Sequence, residues 1–175
     1  MYKSRKPHGR EISNDSYFTL RADRDGVGFV HCGDGVLVVP LTDDGHALLA
    51  IERSPAFDRD VLGLFGGEVE EGETLEETAN RELQEELGSR AERIDFLGEV
   101  YAFKYLSSRQ FLFLARDLVP SMLKGDEMHP VGVRKVALNH FDDLCDSGDL
   151  QDALAIAALY LARRFLEQEK KRDGQ

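Results

Sequence analysis

The chain has only two cysteines, Cys32 and Cys145, which lie far apart and lack the CxxC spacing of zinc and redox sites. That excludes a disulfide framework. With no secretory leader at its start, the sequence reads as one carrying reduced thiols in a cytoplasm. Long apolar runs are missing as well: the longest uncharged stretch, residues 153–162, is too short to span a bilayer. Bases are scarce, 22 against 33 acids, and a pI near 4.9 argues against non-specific nucleic-acid binding, which depends on neutralising phosphates. None of the five histidines shows metal-ligand spacing. No repeat, low-complexity tract or linker divides the chain, and 175 residues suit a single domain with a real core.

Short apolar runs separated by turn residues fill the first third. Residues 1–12 read as a loose polar arm. Residues 17–22, 27–31, 36–41 and 46–51 alternate as strands, and Asp-Gly pairs at Asp25-Gly26, Asp34-Gly35 and Asp44-Gly45 separate them. Glycine accepts the positive φ that a tight turn needs, so the pattern predicts an antiparallel meander with 36–41 and 47–51 its most buried strands. Further strands are expected at 61–65, 96–103, 110–115 and 131–138, a long loop at 119–130, and helices around 75–87, 140–145 and 152–171. Strands first and a trailing helix indicate an α+β, layered domain.

Negative charge is abundant and concentrated. Residues 66–89, GGEVEEGETLEETANRELQEELGS, hold nine carboxylates against the single base Arg81, so eight of the chain's eleven net negative charges sit there. Part of this excess serves the helix. Thr74 and Glu77 fit a capping box, Glu76 and Glu77 complement the helix dipole, and Gly88 falls where a left-handed C-terminal cap is expected. The rest has another cause. At about 100° per residue, Leu75, Ala79, Leu83 and Leu87 form an apolar stripe. Glu82 and Glu86 fall beside it and Glu85 just outside, whereas Asn80 and Gln84 mark the far, solvent side. Carboxylates at the margin of a core are costly unless paired or metal-bound. Arg81 can reach Glu85 or Glu77, but one guanidinium does not compensate three clustered acids. A solvated acidic face would sit elsewhere on the helix. A hard divalent cation, Mg²⁺ or Mn²⁺, with a few carboxylate ligands and a shell completed by phosphate and water, accounts for the placement.

The same residues carry a family resemblance. Gly67, Glu73, Arg81, Glu82, Leu83, Glu85, Glu86 and Gly88 fill eight of the nine fixed positions of the Nudix box; the ninth, ordinarily aliphatic, is Ser89. The chain thus resembles the Nudix hydrolase superfamily. The resemblance implies an α/β/α sandwich with a mixed central sheet, here preceded by the N-terminal strands. It also implies metal-dependent hydrolysis of a nucleoside diphosphate linked to another moiety. Glu82, Glu86 and Glu85, with the Gly67 carbonyl, are the implied metal ligands. Arg81 holds Glu85 and pairs towards Glu73, fixing ligand geometry.

Further along, Asp117 to Pro120, Leu123 to Glu127 and Ser147 to Leu150 resemble the ADP-ribose and ADP-sugar pyrophosphatase branch, and most of all its ADP-compound hydrolases. In that branch an acidic loop supplies a general base or water-orienting carboxylate, here Glu127 with Asp126 as the second choice. Arg53 sits where the branch places a substrate-binding arginine, Arg109 is a second phosphate candidate, and Phe103 and Tyr105 could stack on a base. The branch also implies a homodimer built through residues 1–34. The lead into the box, Gly63 to Gly67, lacks the Glu and Pro usual there. Dinucleoside polyphosphates, NADH-type dinucleotides and damaged nucleoside triphosphates therefore stay open as substrates. A non-catalytic nucleotide sensor is the remaining alternative, and the four intact box glutamates weigh against it.

Overall fold

The structure is a computed structural model that describes residues 2, 8–14, 18–125 and 131–174. Its first sheet is a three-stranded antiparallel meander of β1 (Arg10–Asn14), β2 (Thr19–Ala22) and β3 (Gly28–His31). Asp25-Gly26 makes the β2–β3 turn as its sequence dictates: Gly26 has φ 82°, and Asp23 Oδ1 accepts the Asp25 and Val27 amides at 2.9 Å. The expected loose arm ends earlier than predicted, because residues from Arg10 onward pair with β2. Arg21 fastens what precedes them by donating to the His8 and Gly9 carbonyls at 2.6 Å.

The predicted meander stops there. Asp34-Gly35 makes no hairpin. Instead β4 (Gly35–Pro40) runs parallel to β8 (Gln110–Pro120), in register from Gly35↔Gln110 to Pro40↔Ala115. Asp44-Gly45 does turn the chain, with Gly45 at φ 79°, but β4 and the following strand share only the bridge Leu41↔Ala47 before diverging. Both edges of each strand are already taken. β5 (His46–Ser54) lies between β6 (Arg59–Gly63) and β9 (Gly132–Ala137), antiparallel to both. β4 has β8 on one edge and, on the other, residues 65–68, which bridge it at Val38↔Phe65 and Gly35↔Glu68. β7 (Ser89–Val100) completes a mixed sheet of order β4-β8-β7; it begins directly after Gly88 and pairs antiparallel with β8. β8 extends through Pro120, into the stretch expected as loop.

Among the described residues three α-helices cover these sheets: α1 (Leu75–Glu82), α2 (Asp142–Ser147) and α3 (Ala153–Asp173). Strand alternation sorts the core into two layers. On β8, Phe111, Phe113 and Ala115 join Val36 and Val38 of β4 against Ala79 and Leu83. Leu112 and Leu114 face the other way with Val39 and Leu41, onto Ala155, Ala158, Leu159 and Ala162 of α3. That is the expected α/β/α sandwich. Arg116 ties its back layer, donating to Asp95 on β7 at 3.0 Å and to Glu169 on α3 at 2.7 Å. Among the described residues no helix is long and apolar enough to cross a membrane.

Candidate active site

The site begins where residues 65–68 run along the edge of β4. Val38 N–H donates to the Phe65 carbonyl at 2.8 Å and Val36 N–H to the Gly67 carbonyl at 2.9 Å. Backbone groups alternate along an extended strand, so Gly66 turns the opposite way, and its N–H donates to Glu86 Oε2 at 2.9 Å. Only glycine serves at this point, because Gly66 has φ 154° and a Cβ would collide with the Val36 carbonyl. Gly67 is needed for a different reason: a Cβ there would fall onto the Glu82 carboxylate. Glu82 is itself 6% exposed.

The helix that carries these acids is capped as its sequence predicts. Thr74 Oγ1 accepts from Glu77 N–H at 3.2 Å, and Glu77 Oε2 accepts from Thr74 N–H at 2.8 Å. The predicted helix 75–87 is not uniform, however. α1 ends at Glu82, Leu83–Leu87 continues as a π-helical turn, and Gly88 closes it at φ 67° with its N–H on the Leu83 carbonyl. Asn80 and Gln84 do not face solvent. Asn80 binds both backbone groups of Ala91 at the start of β7, and Gln84 Nε2 donates to Ser121 Oγ at 2.8 Å.

Arg81 organises the acids. Its Nη1 donates to Glu82 Oε1 at 2.7 Å and Glu85 Oε2 at 3.1 Å, its Nε to Glu73 Oε1 at 3.0 Å, and its Nη2 to the Glu68 carbonyl at 3.0 Å. Burial works against charge on Glu73, but the hydrogen bonds from Arg81 and Thr78 outweigh it and hold the carboxyl below its ordinary value. Burial likewise opposes charge on Arg81, yet Glu73 and Glu82 raise its pKa further.

These residues fit a divalent cation of the magnesium type. Glu82 and Glu86 converge on the extended Gly66-Gly67 pair from one helix face, and the glycines leave room there. Among the described residues no three carboxylates, imidazoles or thiols form a closed cage. Mg²⁺ does not need one, since it takes one or two carboxylates and keeps water or phosphate in its other positions. The Gly67 carbonyl already accepts one hydrogen bond, leaving a single lone pair for a metal.

The remaining candidates are dispersed. Arg53, on β5, pairs with Asp58 across the hairpin mouth, and both side chains are well exposed. Arg109 is anchored instead of offered: Nε and Nη2 grip Asp34 Oδ2 at 2.8 and 2.5 Å, and its own amide donates to Asp34 Oδ1 at 2.7 Å. Phe103 and Tyr105 are exposed and meet each other edge to face at 5.4 Å. Asp126 and Glu127 lie outside the described residues.

Two residues of this region had no legible signal. Asp34 looks like a turn residue, yet it is buried and accepts from Arg109 and from the Tyr2 hydroxyl at 2.5 Å. Tyr2 also donates its N–H to the Glu73 carbonyl at 3.2 Å, which ties the start of the chain to the box.

A glycine pair on the edge of a mixed sheet and an acid-lined helix laid over one face of it, with a long helix behind, define the NUDIX domain, and the chain belongs to that family, whose profile matches residues 33–159. Over 135 residues the chain is 36% identical to the ADP compounds hydrolase NudE of Escherichia coli (strain K12), spanning 77% of this chain and 72% of that protein. It is 29% identical over 140 residues to the ADP-ribose pyrophosphatase of Bacillus subtilis (strain 168), 78% and 76% of the two chains. The crystal structure of an ADP compounds hydrolase superposes with a TM-score of 0.78 at 30% identity, covering 97% of both chains.

Proposed function

We propose that the protein is a metal-dependent pyrophosphohydrolase that cleaves the diphosphate of ADP-ribose or an ADP-sugar, giving AMP and a sugar phosphate. The observation that carries this reading is the convergence of Glu82 and Glu86 on Gly66-Gly67, with Arg81 holding Glu73, Glu82 and Glu85 in one network. The names of the two similar proteins point to an ADP-linked substrate.

A bound Mg²⁺ or Mn²⁺ supplies Lewis acidity at the diphosphate and a water of lowered pKa. The chain's own residues do the rest. Glu82 and Glu86 hold the ion, with Glu85 and the Gly67 carbonyl as further ligands. Arg81 keeps the carboxylates oriented and offsets their mutual repulsion. Glu127, or failing it Asp126, takes the proton of the attacking water or orients that water. Arg53 binds substrate phosphate: its partner Asp58 is exposed, and an exposed ion pair is worth little, so a diphosphate displaces it readily. Arg109 acts at one remove, by fixing Asp34 beside the box.

The protein is further read as a homodimer joined through its N-terminal strands, where Ile12, Phe18, Leu20 and Val27 are exposed. Light scattering of the intact chain and of one starting at residue 33 checks this; a monomeric intact chain rejects it. The unpaired cysteines suit a cytoplasmic setting.

A substrate panel with product analysis tests the activity. ADP-ribose and ADP-sugars are expected to give AMP only when Mg²⁺ or Mn²⁺ is present. Much faster cleavage of dinucleoside polyphosphates, NADH or nucleoside triphosphates would reassign the substrate. Nucleotide binding without metal-dependent product would indicate a sensor.

A further inference from the structure

The helix of the box widens into a π-helical turn at the residues that carry Glu85 and Glu86, and a second segment of chain is fastened to that turn. In an α-helical register the Gly88 N–H would reach the Gln84 carbonyl. Here it bonds Leu83 instead, and the Gln84 carbonyl is taken by the N–H of Leu123 at 3.1 Å. The same segment donates Ser121 N–H to the Gly88 carbonyl at 2.9 Å, and Ser121 Oγ accepts from Gln84 Nε2 at 2.8 Å. Packing follows the hydrogen bonds. A Cβ on Gly125 would come within 3.2 Å of Glu85 Cβ, and one on Gly88 within 2.6 Å of Met122 Cε. Backbone carbonyls at the end of a helix need partners from elsewhere, and π turns are rare, occurring mostly as single turns within α-helices at functional sites.

We propose that residues 121–125 are a strap that holds Leu83–Leu87 in its π register, and that Gln84 and Ser121 are positioning residues for Glu85 and Glu86. The strap supplies the donor that the π turn leaves wanting, so the two features depend on each other. Losing the strap lets the turn relax towards an α-helical register. That shifts Glu85 and Glu86 around the axis relative to Glu82, which stays fixed in α1 beside Gly67. Gln84, a position the box leaves open to any residue, thereby acquires a specific duty. The inference rests on the reading of these glutamates as metal ligands.

The test uses Ser121→Ala, Gln84→Ala, their double variant and Ser121→Thr in the full-length protein. The first readout is amide hydrogen exchange without metal. Ser121→Ala is expected to speed exchange at Leu87 and Gly88 about two- to tenfold, the scale of one hydrogen bond, while Ala79 to Arg81 keep their wild-type rates. The second is Mn²⁺ binding followed by its EPR signal. Each alanine variant is expected to weaken binding by a similar factor, the double variant no more than either single one because both remove the same bond, and Ser121→Thr to restore it. In turnover, kcat falls and KM for ADP-ribose holds. Wild-type exchange at Leu87 and Gly88 in Ser121→Ala overturns the strap, as does exchange raised equally throughout α1. Faster exchange at Leu87 and Gly88 alone, with Mn²⁺ bound as tightly as by the wild type, overturns the positioning role. Failure of the wild type itself to bind Mn²⁺ overturns the metal-site reading along with that role, and the exchange data still decide the strap.

Discussion

Replacing the Glu86 carboxylate by an amide leaves its shape and an acceptor oxygen for the Gly66 N–H, but removes a charge and the affinity for a hard cation. Glu86→Gln is therefore expected to fold normally and to lose on the order of a hundredfold or more in kcat, given that even groups behind the ligands are worth 10–100-fold. Steady-state turnover alongside circular dichroism checks both halves, and near-wild-type turnover would remove Glu86 from the metal site. Tyr2 yields a prediction of another kind. Burial, then the hydrogen bond to Asp34 and the charge of Asp34, push the Tyr2 phenol up to about 12, against the opposing pull of Arg109. A folded-state pKa above the unfolded value means a contribution to stability that is complete below the ordinary tyrosine pKa and lost as pH rises through about 12. Absorbance titration of the phenolates is expected to show Tyr2 ionising late. Tyr2→Phe should abolish that late step and flatten the loss of stability at alkaline pH.

At the scale of elements, what local sequence specifies formed, and what depends on distant pairing had to be seen. The capping box at Thr74, the left-handed Gly88 and the Asp25-Gly26 turn each involve residues within a few positions of one another, so their chemistry is complete in the sequence. The placement of Glu82 was legible for a related reason, since helical spacing put it beside the apolar stripe and it lies buried there, whereas Glu85 and Glu86 ride on a π turn that this spacing does not anticipate. The parallel pairing of β4 with β8 was not, because its register joins Gly35 to Gln110 and no nearby residue encodes it. Asp34-Gly35 misled on the same account: the partner that makes Asp34 a buried anchor, Arg109, is remote in sequence. The far side of the box helix was misjudged because the polar side chains there answer groups on distant segments, Asn80 the backbone of Ala91 and Gln84 the hydroxyl of Ser121. Asn80 substitutes for a strand neighbour, accepting Ala91 N–H at 2.8 Å and donating to the Ala91 carbonyl at 3.3 Å. Asn80→Ala leaves both groups partly buried without that partner and is expected to cost about 1–3 kcal/mol of stability in urea denaturation. Because Asn80 touches no box carboxylate, kcat measured on the folded fraction should hold; a change in kcat without a loss of stability would contradict this account.

For the molecule as a whole, the decisive quantity is where its charge sits. Most of a net charge of −11 is carried by residues 66–89, and one arginine is the base within that stretch. Without a cation the folded state therefore bears a repulsion that the extended chain relieves by separating the same carboxylates. Two outcomes follow for the metal-free protein. Added monovalent salt should raise its melting temperature by screening the exposed members of the cluster. Mn²⁺ or Mg²⁺ should raise it further and at far lower concentration, because an ion bound only by the folded state stabilises by mass action, about 2.7 kcal/mol at a hundred times its Kd. For a domain of this size that amounts to roughly 5–10 °C. In Glu86→Gln the salt response should persist while the divalent response shrinks, since one measures diffuse repulsion and the other a site with defined ligands. Equal divalent shifts in the two proteins would mean that the ions act only as counterions, and the convergence of Glu82 and Glu86 on Gly66-Gly67 would then have a structural role alone.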